Sequence, residues 1–143
     1  MTEVQQLTGA SPEELVQLVA LSHELHEDGR TPTASEVEQM IRDPNTLLMV
    51  ALDGERIVAM ATLYIVQKLG SRTSYLEDVV VLSEYRGEGI GKKLMETVIA
   101  LARERQVRSI SLTSRPERVA AHRLYDSVGF AKRDTSTFKL SLS

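Results

Sequence analysis

The sequence contains no cysteine. That excludes a disulfide framework, a thiolate zinc site and a cysteine nucleophile, and it fits a reducing compartment. It also lacks any apolar run near the ~18 residues that would mark a membrane-spanning helix. The first residues, Met1-Thr2-Glu3-Val4-Gln5-Gln6, show no basic-then-apolar pattern of a secretory signal, so the expected location is cytoplasmic. Positive charge is not in excess: 17 Lys and Arg stand against 20 Asp and Glu, a net charge of −3. Non-specific nucleic-acid binders draw most of their affinity from neutralising phosphates, so neither nucleic acid nor a membrane is an expected partner. No repeat, low-complexity tract or long linker divides the 143 residues, which read as one domain, 1–143.

What is present is a regular alternation of element signals. Thr2–Leu7 reads as a short strand. Ser11-Pro12-Glu13-Glu14 then opens a helix, with Ser as N-cap, Pro in the first turn and Glu three residues after the Ser. Leu15, Leu18, Val19, Ser22 and Leu25 follow at helical spacing, and Thr33–Arg42 forms a second, shorter helix. Thr46–Leu52, Arg56–Gln67 and Thr73–Leu82 read as an antiparallel meander, with Asp53-Gly54 as its first turn. Its last member ends in Val79-Val80-Val81-Leu82, apolar on both faces as a central strand should be. A helix from about Gly89 to Arg105 is followed by a strand, Arg108–Thr113, placed parallel to Thr73–Leu82 by the crossover. Pro116 opens a last helix that Gly129 stops, and the tail alternates, with Phe138, Leu140 and Leu142 on one face. That tail, Thr135–Leu142, reads as a sheet edge through which two subunits pair as a homodimer.

The segment richest in chemistry is Tyr85-Arg86-Gly87-Glu88-Gly89-Ile90-Gly91-Lys92-Lys93. Alternate glycines let the backbone turn tightly and approach a ligand. Because the loop opens directly into a helix, unsatisfied N–H groups and the positive dipole end face an anion there. Arg86, Lys92 and Lys93 add positive charge. A Walker loop is excluded, since Arg86 stands at its first glycine and Lys93 at its Ser/Thr; a dinucleotide fingerprint fails at Lys92. A plain glycine-rich turn is the bland alternative.

Arg86-Gly87-Glu88-Gly89-Ile90-Gly91 resembles the Arg/Gln-x-x-Gly-x-Gly/Ala signature of the GNAT superfamily of N-acetyltransferases. Ala121-His122-Arg123-Leu124-Tyr125-Asp126-Ser127-Val128-Gly129-Phe130 is similar to that family's A-x-x-L-Y-x-x-x-G-F ending. The element order agrees over nearly the whole chain. The resemblance implies a GNAT-like α/β (α+β) fold: a mixed, mostly antiparallel sheet of six to seven strands flanked by about four helices. It also implies acetyl-CoA as donor, with no metal. The backbone of Val79, Val80 and Val81 would pair with the pantetheine arm, and the amides of Arg86, Gly87, Glu88, Gly89, Ile90, Gly91 and Lys92 would hold the pyrophosphate. One departure is Arg118, which stands where many members have Asn. It either meets a cofactor phosphate or an acidic substrate, or faces solvent.

Acetyl transfer needs a neutral amine and a proton for the departing thiolate. Tyr125 resembles the family's proton donor, and a phenol of pKa about 10 suits that task; the alternative is a core tyrosine beside Leu124. Glu77-Asp78 places two carboxylates before the apolar strand, where alternation sends them to opposite faces. Glu77 is the expected base, directly or through water, against a purely structural pairing of both. His23, His26 and His122 lack the further ligands of a metal site and read as surface histidines. With no cysteine, direct attack of the amine on the thioester is expected.

The acceptor, expected to be a small-molecule primary amine, would be framed by Leu21–Arg42 and the loop Gln67–Tyr75. Glu24, Glu27, Asp28 and Glu36 make the first region acidic, which mildly suits a cationic amine. The rival readings are a non-catalytic acyl-CoA-binding or regulatory domain and a nucleotide-binding module.

Overall fold

The computed structural model describes residues 2–25 and 29–143. They form two compact units, 1–113 and 114–143. The first holds a five-stranded sheet of order β1-β2-β3-β4-β5. Its strands are β1 (Thr2–Gln6), β2 (Thr46–Asp53), β3 (Arg56–Lys68), β4 (Ser71–Val81) and β5 (Ile110–Ser111). The first four pair antiparallel and β5 runs parallel to β4.

Helices α1 (Pro12–Ser22) and α2 (Ala34–Arg42) begin with reciprocal capping boxes. Ser11 Oγ accepts from Glu14 N–H at 3.2 Å while Glu14 Oε1 accepts from Ser11 N–H at 3.0 Å. Thr33 and Glu36 repeat the arrangement at 3.1 Å each way. The two helices bury Leu15, Leu18, Leu21, Val37 and Ile41 against Leu48, Val50, Met60 and Val80 of the sheet. By strand alternation Leu47, Met49 and Ala51 point to the other face. There α3 (Ile90–Glu104) buries Ile90, Leu94, Met95, Val98 and Ala102. Both faces of β2 are therefore covered, which is why its apolar run is continuous.

The second unit contains α4 (Val119–Ser127). Gly129, at φ 109°, ends it in a backbone conformation that favours glycine. Phe130 N–H then donates back to the Tyr125 carbonyl at 3.0 Å.

Two expectations need correction. The sheet has five strands, not six to seven. The tail is the main reason: residues 130–143 carry no regular structure, and Phe138, Leu140 and Leu142 are exposed. An alternating sequence becomes a strand only when an edge is there to pair with it, and that partner is not written in the tail. The homodimer expected from this segment thus has no strand beneath it. The last strand is also shorter than Arg108–Thr113, because its pairing with β4 stops after Ser74↔Ile110 and Tyr75↔Ser111.

Candidate active site

The early end of β4 is fixed to β5. Ser74 N–H and Oγ both donate to the Ser109 carbonyl, at 3.0 and 2.9 Å. Beyond Tyr75 the pairing ends, although β4 continues to Val81. The later half of β4 keeps its ladder with β3 on one side only. An edge of this kind accepts an extended ligand as an added strand. Val79, Val80 and Val81 lie on it, and the Val81 carbonyl already accepts from Arg86 Nε at 3.0 Å.

At this edge β4 carries a bulge. Met60 pairs with Val80 and Thr62 with Glu77, so β4 inserts an extra residue at Asp78-Val79. Asp78 takes φ 56°, a left-handed conformation that Asp tolerates better than most side chains. The bulge breaks the alternation that was expected to separate Glu77 from Asp78. Antiparallel partners share a face, so Glu77 lies on the face of Thr62, and Val80 returns to the face of Met60. Asp78 lines a cavity on that same face. The two carboxylates thus act on one side of the sheet. Partial burial, then the charge of Asp78, raises the Glu77 carboxyl above its ordinary range.

The cavity holds about 500 Å³ between α1, α2 and the sheet. Leu18, Leu25, Val37, Met40, Leu48 and Met60 form its apolar walls. Thr62 and Asp78 form a polar end at the sheet, and Ser22, Arg30, Thr31 and Glu36 line it elsewhere. Tyr64 donates to Asp78 Oδ2 at 3.4 Å; burial, then Asp78, pushes the phenol up to about 12, so it stays a donor. Of the two segments expected to frame the acceptor, the α1–α2 region contributes to this cavity and the loop Gln67–Tyr75 supplies none of the lining. Glu36 lines the cavity while serving the α2 cap. Glu27, Asp28 and His26 lie outside the described residues.

The end of β4 leads through a 3-10 turn, Ser83–Tyr85, into the glycine loop. Tyr85 anchors it, donating to Asp53 Oδ2 at 2.6 Å under the Arg56 guanidinium. Gly87 and Gly89 take φ 80° and 81°, and a Cβ on either would project into open space. Glycine is therefore required by the backbone turn and not by internal packing. α3 starts with Gly89 as N-cap and no side-chain cap. Lys93 N–H donates to the Gly89 carbonyl at 3.1 Å, so the amides of Ile90, Gly91 and Lys92 precede that bond. No acidic residue occupies the first turn. Of the basic residues expected to serve an anion, Arg86 lies 3.5 Å from Glu24 and Lys93 donates to the Thr2 carbonyl. Lys92 is exposed.

In the second unit Tyr125 is buried, its ring edge-on to Phe130 at 6.0 Å. Burial raises the phenol above its ordinary value, with Arg118 opposing, so it is protonated at neutral pH. Arg118 sits at the N-cap of α4. The described residues hold no group of three or more His, Asp or Glu that could bind a metal.

Thr62 and Tyr64 escaped the sequence reading. Their strand was legible, but alternation alone does not say which of its residues meets a cavity.

A five-stranded mixed sheet with helices on its faces, whose fourth strand loses one neighbour before an uncapped helix start, is a mixed α/β fold. The acetyltransferase (GNAT) family description matches residues 13–130, and the chain belongs to this family. N-acetyltransferase 8B of Rattus norvegicus is 29% identical over 104 residues, 71% of this chain and 47% of that protein. The chain thus spans about half the length of that curated relative. An aminoglycoside acetyltransferase from an uncultured soil metagenomic sample, solved with trehalose, superposes with TM-score 0.85 at 20% identity. That match covers 99% of this chain and 97% of the other. AAC(6′)-Iy, solved with a CoA-based bisubstrate analogue, superposes with TM-score 0.80 at 17% identity, covering 100% and 99%. These two likenesses establish the fold. Among the described residues no helix is long and apolar enough to cross a membrane.

Proposed function

We propose that the protein is an acetyl-CoA-dependent N-acetyltransferase that acetylates the primary amine of a small molecule by direct attack on the thioester. The observation that carries this reading is the continuity of one strand: β4 loses its neighbour after Tyr75, bulges at Asp78 and runs into the uncapped start of α3. The free edge suits an extended amide-bearing arm, and the helix start suits a pyrophosphate. The CoA-based analogue held by a structure of the same fold supports the same choice.

Acetyl-CoA, when bound, supplies the acetyl group as a thioester. Val79, Val80 and Val81 offer backbone groups to its arm, with the Val81 carbonyl shared with Arg86. The amides of Arg86, Gly87, Glu88, Gly89, Ile90, Gly91 and Lys92 receive the phosphates. Glu77 accepts the ammonium proton through water, and its raised pKa suits a base for that step. The nitrogen would then bond to the carbonyl carbon as the carbon–sulfur bond breaks; Tyr125 would protonate the leaving sulfur, and the amine's second proton would pass through water to restore the phenol.

The test is turnover in Tyr125→Phe, which keeps the edge-on ring beside Phe130. A fall in kcat of about 10²–10⁴-fold, with acetyl-CoA affinity unchanged, is expected. Glu77→Gln should recover activity as pH rises and more amine is already neutral, while Tyr125→Phe should not. Wild-type turnover in Tyr125→Phe where chemistry limits the rate would remove the acid role. Failure of the wild-type protein to release thiol with any of a broad amine panel, while binding acetyl-CoA, would favour a non-catalytic acyl-CoA-binding domain.

A further inference from the structure

We infer that the acceptor is a monoamine carried on a compact apolar skeleton, its ammonium held at Asp78 and Thr62. This rests on the transferase reading and narrows its substrate.

The first observation is the composition of the cavity. About 500 Å³ is the size of a small-molecule site, and its walls come from Leu18, Leu25, Val37, Met40, Leu48 and Met60. Ser22, Arg30, Thr31 and Glu36 also line it, but Glu36 already serves the α2 cap and Arg30 repels a second ammonium; against the apolar stretch a hydroxyl-rich sugar would lose water without gaining partners. A hydrocarbon or aromatic body loses nothing there and gains from leaving water.

The second observation is an unspent polar atom. Thr62 is 1% exposed, and its Oγ1 has no hydrogen-bond partner among the described residues. Buried hydroxyls are ordinarily bonded, so one left over in the wall of a cavity is suited to a ligand. Thr62 faces the cavity beside Asp78, whose carboxylate accepts, among the described residues, a long 3.4 Å contact from Tyr64. An ammonium has three donors and no acceptor. Asp78 supplies the charge and an acceptor, and Thr62 supplies a second acceptor.

The third is the bulge. Asp78 reaches the cavity because β4 adopts φ 56° there, without a glycine. Such a local cost is retained when the surrounding structure enforces it, and here it turns a carboxylate towards the apolar stretch of the cavity. Glu77, opposite Thr62 on the same face, is left to take the proton.

The experiment is calorimetric titration of 2-phenylethylamine and of spermidine into the full chain, with and without saturating CoA. The variants are Asp78→Asn and Thr62→Val. Asn tolerates the left-handed backbone at position 78, and Val keeps the shape of Thr62 while removing an unpaired hydroxyl. Both variants are therefore expected to fold, with Thr62→Val at least as stable as wild type by thermal melting. Phenylethylamine should bind more tightly than spermidine. Asp78→Asn should weaken it about tenfold or more, and Thr62→Val by a few-fold. Tighter binding of spermidine, no binding of phenylethylamine in either condition, or unchanged affinity in Asp78→Asn would overturn the inference. Failure of acetyl-CoA itself to bind would instead strike the transferase reading, and the titrations without CoA would still decide what the cavity prefers.

Discussion

The helices of this protein begin in two different ways. α1 and α2 start with side chains that satisfy their own first amides: Ser11 with Glu14, Thr33 with Glu36. Their first turns carry Glu13, Glu14 and Glu36, which suit the positive end of a helix. α3 starts with a glycine, has no side-chain cap, and puts Lys92 and Lys93 in its first turn, where the dipole opposes them. Two helix starts are built for stability of the fold. The third, like α4, has no side-chain cap, and in the proposed reading it is α3 whose amides are left for an anion. Under the proposed function, the contrast separates a residue pattern that stabilises from one that would bind.

The largest expected effect comes from blocking the third start. Gly89→Val places a β-branched side chain at φ 81° and beside the amides of α3. Left-handed backbone costs such a residue about 1–2 kcal/mol, and acetyl-CoA binding should fall about a hundredfold or be lost, by calorimetry. A folded variant that binds normally would break the comparison. Next comes Ser11→Ala, which removes a cap from a start that does not bind. It should lower stability by about 1 kcal/mol in denaturant titration and leave acetyl-CoA affinity unchanged. A smaller effect sharpens the trade-off. Lys92→Glu should stabilise the free protein by about 0.3–1 kcal/mol while weakening acetyl-CoA, because the same charge that suits the dipole repels the phosphates. If both stability and affinity moved in the same direction, the proposed compromise at α3 would be wrong. Arg86→Ala is the smallest: its guanidinium is directed at Val81 and Glu24, so a few-fold loss of affinity with a weak salt dependence is expected.

The same contrast explains what was readable in advance. Capping is local chemistry, so Ser11-Pro12-Glu13-Glu14 announced α1, and Thr33 followed by Glu36 held the same signal for α2. The glycine loop was readable because positive φ and helix starts are also local demands. The bulge was not. Nothing in Glu77-Asp78-Val79 requires it, since it arises from matching β4 to β3 across the sheet, and it carries Asp78 to the side where strict alternation would not. Nor was the early end of the β4–β5 pairing readable, which depends on how far Ile110-Ser111 follows Ser74-Tyr75. The tail shows the reverse error: Phe138, Leu140 and Leu142 alternate without forming a strand. Periodicity records a preference, and pairing decides whether it is used.

The central claim is that acetyl-CoA is held by the β4 edge and the uncapped start of α3. The most direct measurement is a titration of acetyl-CoA followed through the backbone amide signals of the isotope-labelled chain. The account predicts the largest shifts at Val79, Val80 and Val81 and at residues 87–92, with the capped first turn of α1, Glu13 to Leu15, unmoved. Saturating acetyl-CoA that leaves residues 87–92 in place, or that shifts the capped starts of α1 and α2 as strongly, would contradict it.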